Sequence, residues 1–271
     1  MKYLGYAALT IVALVLLTPT LLLIEGAFRT GDDMVVHLIP HSMTLSNFVT
    51  LFAYPVFRWF ANSALVSIAS TALMTSAVVM AGYAFAKKTV PAKEAIFWAM
   101  LASMMIPATV VFVPTFVILK NVGLINSLWG LILPAILSVQ MIFFFRQYIS
   151  AMPNDFLDSA AIDGCGEIGT FLRVVVPMSL PAIATIGLLN VTASWGAFLW
   201  PNAILFTPER YTLPVGIQRI LFNEAIFRSR NALEPDFGLI MAASTFTLAP
   251  VVALFTIFHK AFVKGLWGGL K

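Results

Sequence analysis

The residues with chemical potential gather in one stretch of an otherwise oily chain: Asp155, Asp158 and Asp163, with Gly164 and the single cysteine, Cys165, directly behind. Catalytic motifs are absent where an enzyme would need them. The three histidines, His37, His41 and His259, are scattered, so one cysteine cannot complete a zinc site with them, and an intrachain disulfide is excluded. Gly26 and Gly31 have the spacing of a phosphate-cradling loop, yet Asp32 and Asp33 stand where such a loop needs Lys followed by Ser or Thr. No His-Glu-x-x-His helix and no Gly-x-Ser-x-Gly elbow occurs. The chain is therefore expected to bind no cofactor or metal itself and not to be an enzyme, with Cys165 a small packing residue.

What the acidic stretch can do is dock. Pro153 suits a first helical position, and Asp155 and Asp158 fall in opening turns, where carboxylates favour the positive end of the helix dipole. The spacing of Phe156, Leu157, Ala160 and Ala161 predicts an apolar face, which Ser159 and the two alanines keep shallow enough for a partner's backbone. Gly164-Cys165-Gly166 ends this helix with residues that tolerate positive φ. A second helix from about Glu167 carries Phe171 and Leu172 and is bounded by Pro177 and Pro181. An amphipathic helix resting on lipid headgroups favours Lys and Arg on its polar face. This polar face is acidic, which predicts docking to protein.

The surroundings of that stretch are membrane. With 60% hydrophobic and 10% charged residues, and a mean hydropathy of +0.94, a soluble globule would be coated in exposed apolar surface. Sixteen basic residues against 12 acidic ones form no basic stripe with interleaved aromatics, which argues against nucleic acid. An ionised side chain at mid-bilayer costs about 2.5–3.5 kcal/mol and about 20 apolar residues cross the core, so charge-free intervals count spans. Six qualify: Tyr3–Ile24, Trp59–Ala86, Ala95–Leu119, Val122–Phe145, Val174–Pro208 and Phe237–Phe258. The first is too long for a signal-peptide core and reads as an uncleaved anchor. Prolines 19, 107, 114, 134 and 250 predict kinks. Placing both termini and the Lys87 and Arg146 loops on one side gives that side nine basic residues against seven, with Lys87-Lys88 beside a span end, which predicts cytoplasmic termini.

The order Asp158-Ser159-Ala160-Ala161-Ile162-Asp163-Gly164, followed by Val174-Val175-Val176-Pro177, resembles the cytoplasmic loop of ABC-importer permeases. The resemblance extends from Trp59 to Lys271. Asn62-Ser63, Tyr83-Ala84-Phe85-Ala86, Met105-Ile106-Pro107 and Gly130-Leu131-Ile132-Leu133-Pro134 look like the carbohydrate-uptake branch. So do Ser194-Trp195, Phe198-Leu199-Trp200-Pro201, the Tyr211–Gly216 run and the closing Phe262–Leu266. The branch usually has Glu where this chain has Asp158, Ala at Ser159 and Cys165, and a polar pair near Gly196-Ala197.

This similarity to a maltose-type or glycerol-phosphate-type second permease implies an all-α integral membrane fold, a six-transmembrane-helix permease with cytoplasmic coupling helices, in the cell inner or plasma membrane. It implies a first span and extracytoplasmic loop over 1–58 and a core over 59–271, with the coupling loop at about 146–176. It implies as partners a homologous permease subunit, two ABC ATPases that use ATP and Mg, and an extracytoplasmic solute-binding protein, with a sugar, polyol or sugar phosphate carried by alternating access. The coupling role falls on Asp155, Phe156, Asp158, Ser159, Ala160, Asp163, Gly164, Phe171 and Pro177. The Thr207–Asp236 loop occupies the place where such permeases reach into the binding protein.

Neutral sugars are held by aromatic, amide and hydroxyl groups, so Asn62 and Ser63 on the second span, and Asn190, Thr192, Ser194 and Trp195 on the fifth, are the substrate-pathway candidates. The alternative class, an ion-coupled secondary transporter, would place Asp or Glu near mid-membrane. The spans carry no central carboxylate, and Glu25 lies near a span end.

Overall fold

A computed structural model describes residues 2–29, 43–89, 91–222 and 236–267. The expectations placed on Gly31, Asp32, Asp33, His37, His41 and much of the Thr207–Asp236 loop lie outside these residues, as do the side chains of His259, Lys260 and Lys264. The described residues are helical, with no strand among them.

Three charge-free runs become uninterrupted helices: α1 (Lys2–Gly26), α3 (Val56–Lys87) and α13 (Phe237–Trp267). Each is long and apolar enough to cross a bilayer. The other three are bent pairs: α4 (Lys93–Ser103) with α5 (Ala108–Asn121) at 101°, α6 (Trp129–Ile132, continued by a 3-10 turn Leu133–Ala135) with α7 (Val139–Ser150) at 40°, and α9 (Glu167–Met178) with α10 (Leu180–Trp195) at 74°. Counting each pair as one span gives six. Short helices α2 (Ser46–Phe52), α8 (Asp155–Ile162), α11 (Leu199–Ile204) and α12 (Leu213–Gly216) complete the described elements.

The prolines act unequally. Pro107 caps α5 at the 101° break and Pro134 lies in the 3-10 turn, whereas Pro19, Pro114 and Pro250 lie inside helices that continue through them. The expected fifth span, Val174–Pro208, is interrupted. Val174–Met178 belongs to α9 and a separate helix begins at Leu180, because Ser179 breaks the helix and Pro181 suits the first turn of a new one.

The chain divides into two compact units, Met1–Asn62 with Tyr211–Val252, and Ser63–Arg210 with Ala253–Lys271. In the first, buried Asn47 of α2 donates through Nδ2 to the carbonyls of Ala27 (3.0 Å) and Arg29 (2.6 Å), closing the end of α1. The Phe52 ring stacks on Phe57 and meets Phe246 of α13 edge-on, at 5.1 and 5.6 Å between centroids. Trp59 is fully buried against α12, where a β-carbon on Gly216 would fall 2.2 Å from the indole; only glycine admits the ring.

In the second unit, Met74, Val78 and Val79 of α3 pack with Ile142 and Phe145 of α7, Val175 of α9, and Ala182 and Ile186 of α10. This apolar cluster fixes the Lys87 end of α3 against the elements that carry the acidic stretch. Elsewhere in the unit, Asn126 adopts a left-handed φ of 57°, and its Oδ1 accepts from Phe206 N (3.0 Å), Thr207 N (3.2 Å) and Thr207 Oγ1 (3.2 Å). The Arg210 guanidinium donates to the Asn126 carbonyl, and Trp200 Nε1 to the Gly130 carbonyl at 3.2 Å. The turn after α5 thereby organises the segment following α10.

Candidate functional site

The acidic stretch folds as two short helices suspended from α3 and α7. Helix α7 reaches Ser150, so the connection begins later than the Arg146 expected, and Arg146 is part of the scaffold. Its Nη2 donates to both oxygens of Glu94 (2.9 and 3.2 Å), its Nε to the Phe85 carbonyl (3.3 Å), and its guanidinium lies over the Phe97 ring at 3.8 Å. An arginine with a carboxylate, a carbonyl and an aromatic face satisfied together is held in one orientation.

Helix α8 starts at Asp155, so Pro153 precedes the cap and is not in the first turn. The reason lies in Asn154. Its carbonyl accepts from Leu157 N (2.7 Å) and Asp158 N (2.9 Å), while its Oδ1 is taken by Lys87 Nζ at 2.7 Å, leaving no side-chain cap for the first amides. The same ammonium donates to the Met152 carbonyl at 2.7 Å. The last residue of α3 thus clamps the entry to α8. The next residue does the same for α9, since Lys88 Nζ meets Glu167 Oε1 at 2.8 Å. That hydrogen bond, ahead of the opposing effect of burial and helped by the nearby Tyr83 and Glu167 charges, raises the Lys88 pKa.

The two helices meet at Gly164, φ 78°. Gly164 N donates to the Ala161 carbonyl (3.1 Å) and Cys165 N to the Ala160 carbonyl (2.9 Å), the paired bonds of a Schellman stop. Cys165 is half-buried and lines a cavity of about 330 Å³ together with Lys87, Lys88, Asp158, Glu167 and Thr170. Among the described residues no group of three His, Cys, Asp or Glu could hold a metal.

The apolar face of α8 is split, where the spacing had predicted one shallow face. Leu157 and Ala160 turn inward onto the core, while Phe156 and Ala161 are exposed. Consecutive residues differ by about 100° around a helix, so anchoring Leu157 turns Phe156 away. Outward-facing apolar side chains continue along both helices: Phe156 at 46% exposure, Ile162 at 86%, Ile168 at 75% and Leu172 at 57%. Asp155, Asp158, Ser159 and Asp163 are exposed as well, with Ser159 Oγ donating to the Asp155 carbonyl at 2.7 Å. Phe171 points the other way, its ring 5.4 Å from that of Tyr83.

Pro177 does not bound α9. The helix runs through it to Met178 because a turn of π-helix, Phe171–Val175, precedes it and shifts the carbonyl pattern that a proline would otherwise leave unpaired. The break falls at Ser179, a fully buried residue whose Oγ has no partner.

The pathway candidates separate. Asn62 Nδ2 donates to the Tyr211 carbonyl at 2.9 Å, and Ser63 is buried. Asn190 Nδ2 donates to Thr71 Oγ1 at 2.9 Å, and Ser194 Oγ lies 3.2 Å from Ser70 Oγ, so both bridge α10 to α3. Thr192 bonds its own helix at the Leu188 carbonyl, and Trp195 is buried. Sequence reasoning assigned Lys87 and Lys88 to topology and missed them as anchors of the loop. A basic pair closing one helix and an acidic residue opening another was the available signal.

Comparison with known proteins agrees with this architecture. Residues 77–268 match the family described as binding-protein-dependent transport system inner membrane component. An arabinooligosaccharides transport system permease protein of Bacillus subtilis is 33% identical over 267 residues, spanning 96% of this chain and 92% of its own. A sulfoquinovosyl glycerol transport system permease protein of Agrobacterium fabrum is 32% identical over 277 residues, covering 100% of this chain and 94% of that protein. A crystal structure of a bacterial ABC transporter involved in import of the acidic polysaccharide alginate contains a chain that superposes with a TM-score of 0.83 at 18% identity, covering 96% of each chain. The split helices, the suspended pair α8–α9 and these matches together place the chain in the binding-protein-dependent transport system inner membrane component family, as an ABC transporter permease.

Proposed function

We propose that the chain is one of two homologous permease subunits of a sugar importer in the plasma membrane, with both termini on the cytoplasmic side. Two ABC ATPases use ATP and Mg, one of them docking on α8 and α9, while a solute-binding protein delivers a di- or oligosaccharide, or a related polyol or sugar phosphate, to the opposite face. The observation that carries this reading is the exposure of four large apolar side chains, Phe156, Ile162, Ile168 and Leu172, on helices whose entries are clamped by Lys87 and Lys88. Full burial of one large apolar side chain is worth about 1.5–3 kcal/mol, so four of them offer a partner a substantial docking energy. The rigid suspension lets that partner move the spans and not merely deform a loop. The carbohydrate names of the relatives support the substrate class.

The test is co-purification with an ATPase and a companion permease, followed by measurement of hydrolysis stimulated by loaded binding protein. Asp158→Lys and Gly164→Pro should leave membrane insertion and permease pairing intact while losing ATPase docking or stimulation. Sodium- or proton-driven uptake by this chain alone in liposomes would instead establish the secondary-transporter class. Single cysteines at Val49, exposed on α2 beside the buried Asn47, and at Lys88 in a Cys165→Ser background report the sidedness: position 49 should label from outside and position 88 only after permeabilisation, and the reverse would overturn it.

A further inference from the structure

Asn190 is the amide that crosses from α10 to α3, and its present partner, Thr71 Oγ1, is the middle rung of a ladder. Ser67 lies one turn before Thr71 and Thr75 one turn after it, and an α-helix places residues four apart on one face. Both outer hydroxyls are buried and have no hydrogen-bond partner. A buried hydroxyl left unpaired costs stability. Finding two, symmetrically flanking an occupied third, marks positions whose partner is elsewhere in this arrangement.

The surroundings permit exchange. Further down α10, Ile186 and Ala182 pack with Met74 and Val78, further along α3, so the two helices run antiparallel in one contact. A slide of one turn, about 5.4 Å, therefore delivers Asn190 to Thr75 in one direction and to Ser67 in the other. Beside the contact lies a cavity of about 370 Å³ lined by Ile68, Thr71, Ala72, Gly187, Leu188 and Val191, among others, which supplies room on the flank of the moving helix. At its base α10 is separated from α9 by the 74° break at Ser179 and is not continuous with it.

We propose that α10 ratchets along α3 by one helical turn during the transport cycle, with Asn190 exchanging Thr71 for one of the two waiting hydroxyls. The device rests on the permease reading above and adds to it a defined internal motion within one subunit. Packed helices are bistable more readily than continuously deformable, and one-turn shifts of one element past another are an established form of switching. Ser70–Ser194 breaks in the same step, so the exchange is all-or-none at that contact.

Disulfide cross-linking in the assembled transporter tests it, in a Cys165→Ser background, with the pairs Ser67→Cys/Asn190→Cys, Thr71→Cys/Asn190→Cys and Thr75→Cys/Asn190→Cys. Each pair is measured without nucleotide and after trapping with ATP, vanadate and loaded binding protein. The expected result is that trapping depresses the 71–190 product and raises one outer-rung product several-fold. A 71–190 product that dominates equally in both states overturns the ratchet. Stimulated ATP hydrolysis is followed in the same preparations: hydrolysis with a fixed 71–190 pair discards the ratchet alone, whereas absence of hydrolysis in the Cys165→Ser parent discards the permease reading. Where a cysteine pair fails to assemble, the Ser67→Ala/Thr75→Val double variant, which keeps Asn190 and Thr71, decides. Uptake should fall several-fold at unchanged assembly, and wild-type uptake would overturn the proposal.

Discussion

The Lys88 ammonium, one residue beyond α3, lies 2.8 Å from the Glu167 carboxylate that opens α9, so the end of a membrane-spanning helix and the start of α9 share one ion pair. Lys87 makes the equivalent attachment to α8 through Met152 and Asn154. Adjacent residues at and just beyond the end of α3 thus hold separate halves of the suspended segment, and losing either should free one half only.

The ion pair has a predictable pH window. Its hydrogen bond raises the Lys88 pKa, so its contribution is complete below the ordinary lysine value of about 10.4 and is lost as pH rises through the raised one. Because Glu167 is largely exposed, the pair contributes no more than about 1 kcal/mol. Digestion of the 151–178 segment by an alkali-tolerant protease should be flat from neutral to mildly alkaline pH and accelerate only beyond the lysine range. Lys88→Met should show the fast rate throughout. Equal digestion of the variant and the parent would remove the tether.

At Gly164 the cost of a side chain is conformational alone, since a β-carbon there meets nothing within 4 Å while φ stands at 78°. Gly164→Ala should destabilise the α8–α9 junction by about 1–2 kcal/mol. Gly164→Asn should cost less, because asparagine visits this region more readily. Hydrogen exchange of the Cys165 and Gly164 amides, which close the Schellman stop, measures the order; equal protection in all three proteins contradicts it.

Gly216 poses the opposite case, with space and not φ in short supply. Gly216→Ala should lower thermal stability in detergent by an amount equivalent to about 1–3 kcal/mol, the usual cost of overpacking. Trp59→Leu in the same chain should recover part of the loss by vacating the ring. Additive losses in the double variant would show that the two positions are uncoupled.

Asn126 combines both demands, a left-handed backbone and an oxygen serving three donors. Asn126→Asp keeps the acceptor and should stay near the parent in stability. Asn126→Gly keeps the backbone and loses the acceptor, at about 1–3 kcal/mol. Asn126→Ala loses both and should be the worst of the three in thermal unfolding.

Much of this was legible beforehand, for reasons that also mark the limit. Spans α1, α3 and α13 follow from charge-free runs because lipid forbids an unpaired charge whatever its neighbours are. The Gly164 stop follows from a residue type that only a turn requires. The breaks do not follow: Pro107 stands at a 101° break while Pro114, seven residues later, lies in a continuous helix. Pro107 sits at the N-cap of α5 and Pro114 inside it, and local spacing does not encode which proline starts a helix and which is carried within one. Nor does spacing disclose that Lys87 reaches Met152, 65 positions away, or that Asn190 and Ser194 are spent on α3.

Helix α1 carries a further consequence. From Gly5 to Pro19 every side chain is exposed, and this chain begins to enclose α1 only near its end, where Gly26 and Ala27 are buried, Thr245 Oγ1 donates to the Leu23 carbonyl and Glu25 pairs with Arg29. The fold of this subunit therefore inscribes the last turn of α1 in its sequence and leaves the preceding turns to composition. Bilayer thickness, acting through length and oiliness, is the ruler for those turns. Scrambling the order of residues 5–19 should leave the subunit's own fold untouched, while shortening the run should not.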